Sequence, residues 1–163
     1  MSETNRLLEA NASYAERFDK GDLPTPPAKQ VTIVTCMDAR LETGRMLGLE
    51  EGDAHIIRNA GGIVTDDVLR SLVISQYLLG TREVVVIHHT RCGMLGFSDA
   101  DLSDRIVEET GQRLPFALGA FENLEISLHE SLERIRSSPF VPHRDSVRGF
   151  IFDVDNGRLR ELT

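Results

Sequence analysis

Residues 31–40 read VTIVTCMDAR: five apolar or β-branched residues, then a cysteine, an acid and a base at alternate positions. Such a run fits a strand buried on both faces, as in a parallel sheet, with Cys36, Asp38 and Arg40 at its C-terminal tip. A second run, EVVVIHH at 83–89, also ends in reactive side chains, His89-Thr90-Arg91-Cys92-Gly93. The chain has two cysteines, and each stands at or just past the end of one of these strands.

Around this pair the pattern alternates. Residues 1–20 carry a loose helical stripe of Leu7, Leu8, Ala12, Tyr14, Ala15 and Phe18, with Ser2 as N-cap. The proline-rich linker GDLPTPP at 21–27 isolates that helix, so its stripe must be buried against its own domain or a partner subunit. Residues 41–47 read as a short helix, and 54–59 (AHIIRN) as a strand closed by Ala60-Gly61-Gly62. Two adjacent glycines after a strand permit positive φ and a close approach to a ligand or to another strand, although on the glycines alone the closure reads as a flexible turn. The clearest helix is 65–79: Thr65 is its N-cap, Asp66 and Asp67 suit its positive end, and Gly80 stops it. Helical spacing recurs within 98–110 and at 124–135, while 114–119 fits either helix or loop. Residues 146–154 read as a strand, and Asn156-Gly157 as a hairpin turn folding 158–162 back as an edge. The expected fold is one α/β domain over 1–163, with a mainly parallel four-stranded sheet, flanking helices and a short antiparallel C-terminal edge strand. If the second and third strands lie on opposite sides of the first, Cys36, His89 and Cys92 converge where the strand order reverses.

A net charge of −8 provides no basic patch for phosphates, so nucleic acid is not an expected partner. No apolar run approaches the roughly 18 residues of a membrane span, and the N-terminus lacks the apolar core of a signal peptide. The expected compartment is the cytoplasm, where paired cysteines more often serve metal or redox chemistry than a structural bridge.

Two thiolates and an imidazole form a zinc ligand set, the fourth position being taken by water or by a protein side chain. Thr90 and Arg91 alone separate His89 from Cys92, so one tight turn can aim both at an ion that Cys36 reaches from the adjacent strand. Two thiolates cancel the charge of a dipositive ion, so water there should ionise at higher pH than in a three-histidine site. Asp38 can either orient that water or displace it and close the site, and a bidentate grip by Arg40 would hold it off the metal. His88, on the opposite face of its strand, is expected in the core, and His55, His129 and His143 are structural or exposed.

Three motifs, Cys36-Met37-Asp38-Ala39-Arg40, Arg58-Asn59-Ala60-Gly61-Gly62 and His89-Thr90-Arg91-Cys92-Gly93, resemble the β-class carbonic anhydrases in type and order. The chain is short and is similar to the compact, archaeal-like branch of that family. The resemblance implies one Zn2+ per subunit on Cys36, His89 and Cys92, with Asp38 and Arg40 as the catalytic dyad. It implies reversible hydration of carbon dioxide to bicarbonate by zinc-bound hydroxide. Asn59, Ala60, Gly61 and Gly62 would line the substrate cleft, with Gly93 beside the metal turn. It further implies a homodimer, possibly paired into a tetramer, in which residues 1–27 pack on the partner subunit. Some bacterial members carry a regulatory bicarbonate pocket that includes a tryptophan; this chain has no tryptophan, so that pocket is expected to be absent. The rival readings are hydrolysis of carbon disulfide or carbonyl sulfide on the same fold, a non-catalytic zinc protein closed by Asp38, and a Cys36–Cys92 redox switch.

Overall fold

In the computed structural model, which describes residues 1–162, the run that opens the sequence is strand β1 (Val31–Cys36), buried at every residue after the first. Its neighbours explain that burial. β2 (Ala54–Asn59) pairs with it in parallel on one edge and β3 (Glu83–His89) on the other. β4 (Val147–Phe152) extends the sheet in parallel beside β3, and β5 (Leu159–Leu162) closes it antiparallel, giving the order β2-β1-β3-β4-β5. Four parallel strands with a short antiparallel edge are the expected architecture. The chain leaves β1 for one side and crosses to the other for β3, so a crevice opens above the C-terminal ends of these two strands.

On one face of the sheet, Val34, Val84, Val86, Val147 and Ile151 meet two helices, α3 (Asp66–Leu79) and α5 (Leu124–Arg136). Those helices contribute Val68 and Leu72, and Leu128, Leu132 and Ile135. Each such fully buried aliphatic side chain is worth about 1.5–3 kcal/mol. α3 starts where Thr65 Oγ1 accepts from the Val68 N–H, carries Asp66 and Asp67 in its first turn, and ends at left-handed Gly80. The opposite face holds Ile33, Leu41, Ile87 and Phe152, with Cys36, Cys92 and Met94 in the same cluster. Side-chain alternation along β3 thus sends His88 and His89 to different faces.

Several details depart from the sequence pattern. The short helix α2 (Thr43–Leu47) begins later than expected, because Leu41 turns into the core, where it is 1% exposed. The chain from Asp38 to Leu41 is a turn, closed by the Leu41 N–H on the Asp38 carbonyl at 3.0 Å. α4 (Asp99–Thr110) is capped by Ser98, whereas 114–119 is loop. That loop is held by a carboxylate: Asp99 accepts from the N–H groups of Leu118, Gly119 and Ala120 at 3.1, 3.0 and 2.7 Å.

α1 (Glu3–Ala15) is capped by Ser2 as expected, yet it buries no residue. Leu7 and Leu8 are 65% and 63% exposed, and Tyr14, whose hydroxyl donates to Glu51, is 50% exposed. The linker returns to the domain through Ala28 and Lys29, whose N–H groups donate to the Gly52 and Asp53 carbonyls at 2.9 Å.

Candidate metal centre

The tips of β1 and β3 bring together Cys36, His89 and Cys92, all buried, with their ligand atoms within 4.8 Å of one another. Cys36 ends β1 and His89 ends β3. The reversal that returns Cys92 to the same point needs a left-handed residue, and Arg91 takes it at φ 53°. Thr90 anchors this turn to the neighbouring strand: its N–H donates to the Phe152 carbonyl at 2.9 Å, and its Oγ1 accepts from the Val154 N–H at 3.0 Å.

The donor set suits a cation. His89 Nδ1 donates to the Thr90 carbonyl at 2.9 Å, which assigns the tautomer and leaves Nε2 as a buried acceptor without a protein partner. Burial alone would lower the pKa of His89, but the nearby Cys36 sulfur, the Thr90 carbonyl and Asp38 outweigh it and raise the pKa. The Cys92 thiol facing Cys36 lowers the Cys36 pKa against the effect of burial, helped by His89 and the backbone N–H groups of Asp38 and Gly61. The same contact raises Cys92. The two sulfurs are close enough to oppose each other's ionisation, and a dipositive ion would stabilise both as thiolates. Two sulfurs and an imidazole nitrogen match zinc in type and number, with a fourth position left over.

Asp38 sits beside this cluster, with Oδ2 3.8 Å from His89 Nε2. Arg40 grips it with three donors: Nε and the backbone N–H to Oδ1 at 2.9 Å each, and Nη2 to Oδ2 at 2.7 Å. That grip holds the Asp38 carboxyl far below the usual carboxylate range. Arg40 Nη2 also donates to the Arg91 carbonyl at 3.0 Å, tying the pair to the His89–Cys92 turn. The side chains meet through the Asp38–Leu41 turn, not through the extended geometry expected from the sequence.

The glycine-rich stretch is no flexible turn. Asn59 ends β2, and Ala60–Gly62 forms a tight turn, with Gly61 outside helical geometry, spanned by a hydrogen bond from Asn59 Nδ2 to the Ile63 carbonyl at 2.8 Å. Gly62, at φ 68°, is pressed against the tip of β1: a Cβ there would lie 2.7 Å from the Cys36 nitrogen and 2.9 Å from the Thr35 carbonyl carbon. Gly61, at φ 80°, faces Phe121 and Met94. Gly93, in the short turn after Cys92, has open space where its Cβ would be. His88 lies in the core, stacked on Phe121 at 5.8 Å between centroids.

Sequence reasoning missed two contributors to the site. Arg58 donates from β2 to the Cys36 and Asp38 carbonyls, and Asp99 organises the loop that carries Phe121. The first stands inside a motif already singled out, one residue before the end of β2, and strand register was the signal that could have exposed it.

Comparison with known proteins agrees with this geometry. A family model described as carbonic anhydrase matches residues 31–114. β-Carbonic anhydrase 1 of Mycobacterium tuberculosis is 52% identical over 163 residues, covering 100% of this chain and 99% of that protein. The carbonic anhydrase of Streptococcus mutans superposes with a TM-score of 0.93 at 43% identity, over 100% of this chain and 99% of that one. A carbon disulfide hydrolase of Acidianus sp. is 33% identical over 184 residues, covering 98% of this chain and 87% of that protein. Identity across the whole chain, together with the matched fold, leads to one conclusion: this chain belongs to the β-carbonic anhydrase family.

Proposed function

We propose that the chain hydrates carbon dioxide reversibly to bicarbonate and a proton at a zinc centre held by Cys36, His89 and Cys92, with Asp38 and Arg40 as its dyad. The observation that carries this reading is the three-donor grip of Arg40 on Asp38 beside the unpartnered Nε2 of His89. Zinc bound there supplies a Lewis acid that makes a nucleophile of water and stabilises charge on the substrate oxygen.

The side chains around it have separate tasks. Cys36 and Cys92 bind as thiolates, and the hydrogen bond from His89 Nδ1 to Thr90 holds the imidazole with Nε2 turned to the same point. Asp38 is kept ionised by Arg40, so it accepts a hydrogen bond from the attacking water and orients the oxygen lone pair toward carbon. Because Arg40 occupies both carboxylate oxygens, Asp38 is drawn away from the ligand set, which favours a site open to substrate. Asn59, Ala60, Gly61, Gly62 and Gly93 form the rim of the cleft. Carbon dioxide and water enter, and bicarbonate and one proton leave.

The exposed stripe of α1 supports a homodimer in which residues 1–27 lie across the partner, because Leu7 and Leu8 find no cover in their own chain. Two free thiols, used as ligands, favour the reducing cytoplasm. Among the described residues no helix is long and apolar enough to cross a membrane.

Stopped-flow hydration of carbon dioxide by zinc-loaded protein, from about pH 6.5 to about 9, tests the proposal. Activity rising toward alkaline pH is the expected result. Flat, negligible hydration with measurable turnover of carbon disulfide would replace carbon dioxide as substrate, and inactivity toward both would favour a closed zinc site.

A further inference from the structure

The tip of β1 carries a proposed metal ligand and leads straight into the proposed catalytic carboxylate, yet it projects past the regular sheet. Register with β3 ends at the Thr35–Ile87 pair and register with β2 at Cys36–Asn59. The Met37 N–H still reaches the Asn59 carbonyl at 2.8 Å and the Leu41 N–H closes its turn on the Asp38 carbonyl at 3.0 Å, but neither bond engages the Cys36 carbonyl or ties the Asp38 carbonyl to β2. One side chain meets both. Arg58 Nε donates to the Cys36 carbonyl at 3.0 Å, and its Nη2 donates to the Asp38 carbonyl at 2.7 Å. Among the described residues Arg58 has no carboxylate partner, and its side-chain hydrogen bonds go only to these two carbonyls.

We propose that Arg58 is a positioning residue for the zinc centre, whose guanidinium spans the Cys36 and Asp38 carbonyls and sets the spacing between thiolate ligand and carboxylate. This rests on the zinc reading of Cys36, His89 and Cys92. The guanidinium is suited to the task because it is planar and presents its donors in a fixed fork, so two carbonyls bound to one group cannot drift independently. A lysine has one compact ammonium and reproduces a single arm of that fork. Arg40 and Arg58 therefore divide the work on Asp38. Arg40 orients the carboxylate and links it to the Arg91 carbonyl, whereas Arg58 fixes the main chain of residues 36–38 to β2.

The test compares Arg58→Ala, Arg58→Gln and Arg58→Lys with wild type, and uses Arg148→Ala as a control that removes an exposed arginine paired with Glu161 on the sheet edge. Zinc affinity is measured by chelator competition, the ligand field from the visible spectrum of cobalt-substituted protein, and hydration from kcat and KM separately. Arg58→Ala is expected to weaken zinc about 10- to 100-fold, the usual effect of losing a group that holds a ligand in place. Its cobalt spectrum should change and kcat fall while KM stays near wild type, with Arg58→Lys recovering part of the loss and the control unchanged. A folded Arg58→Ala with wild-type zinc affinity and cobalt spectrum overturns the proposal. If that variant does not fold, Arg58→Gln decides by the same criterion, and failure of all three variants to fold also overturns it, since Arg58 would then serve stability. A wild-type chain that binds no zinc sinks the zinc reading and this inference together; unchanged variants of a zinc-binding wild type sink only this one.

Discussion

Replacing Gly62 by alanine probes the contact on which the metal centre is built. At φ 68° a non-glycine residue sits in the left-handed region, at about 1–2 kcal/mol. The added methyl meets the Cys36 nitrogen at 2.7 Å, the Thr35 carbonyl carbon at 2.9 Å and the Ile87 carbonyl oxygen at 3.2 Å. All three are main-chain atoms of β1 and β3, so no side chain can swing aside, and overpacking adds about 1–3 kcal/mol. The two effects share atoms and are not strictly additive, which places the loss at about 2–5 kcal/mol. In thermal terms that is roughly a 10 °C fall for a chain of this size. Urea unfolding of zinc-free protein at one fixed concentration measures it, with Gly93→Ala as the internal comparison, because nothing lies within 4 Å of that Cβ position. A Gly62→Ala midpoint indistinguishable from that of Gly93→Ala would refute the close-contact argument.

Arg40→Ala should keep zinc but cut hydration at least about 10-fold, since it frees the Asp38 carboxylate to rotate toward the metal; stopped flow and metal analysis on the same sample check both halves. Cys36→Ser and His89→Ala should instead lose the metal, read by the zinc content of purified protein. Burial lowers the His88 pKa to about 4, whereas an unfolded histidine titrates near 6.5. The unfolded chain therefore binds the extra proton in that interval, so stability is full above about pH 6.5 and declines toward pH 4, by up to about 3 kcal/mol. His88→Leu should flatten the urea midpoint between about pH 6.5 and 5, above most carboxylate titrations, and an unchanged slope would contradict the assignment. Leu7→Ser with Leu8→Ser should shift the sedimenting species toward monomer, and an unaltered profile would remove α1 from the interface.

The parts legible in the sequence were those that local pattern determines. β1 declared itself because a strand with partners on both edges and cover on both faces is built of apolar and β-branched residues, and α3 did so through Thr65, its two aspartates and Gly80. Cys36, His89 and Cys92 were recognisable because ligand spacing at strand tips survives in one dimension. Gly62 left a flexible turn and a close approach to another strand both open, because its need for glycine comes from main-chain atoms of β1 and β3, which no neighbouring residue reveals. Asp99 resembles any helix-start acid until residues 118–120 are seen folding back onto it. Arg58 stood in a recognised motif without a task of its own, and its role emerges only from register.

Two of the proposed ligands, Cys36 and His89, hang from β1 and β3, each of which has a strand on both sides. Such interior strands belong to the last units of a protein to open, whereas loops and terminal helices fluctuate at far lower free energy. Fully freeing Cys36 and His89 therefore requires opening interior strands, whereas Cys92, in the turn beyond β3, can let go first. Metal exchange should accordingly proceed stepwise from Cys92 and be slower than substrate turnover.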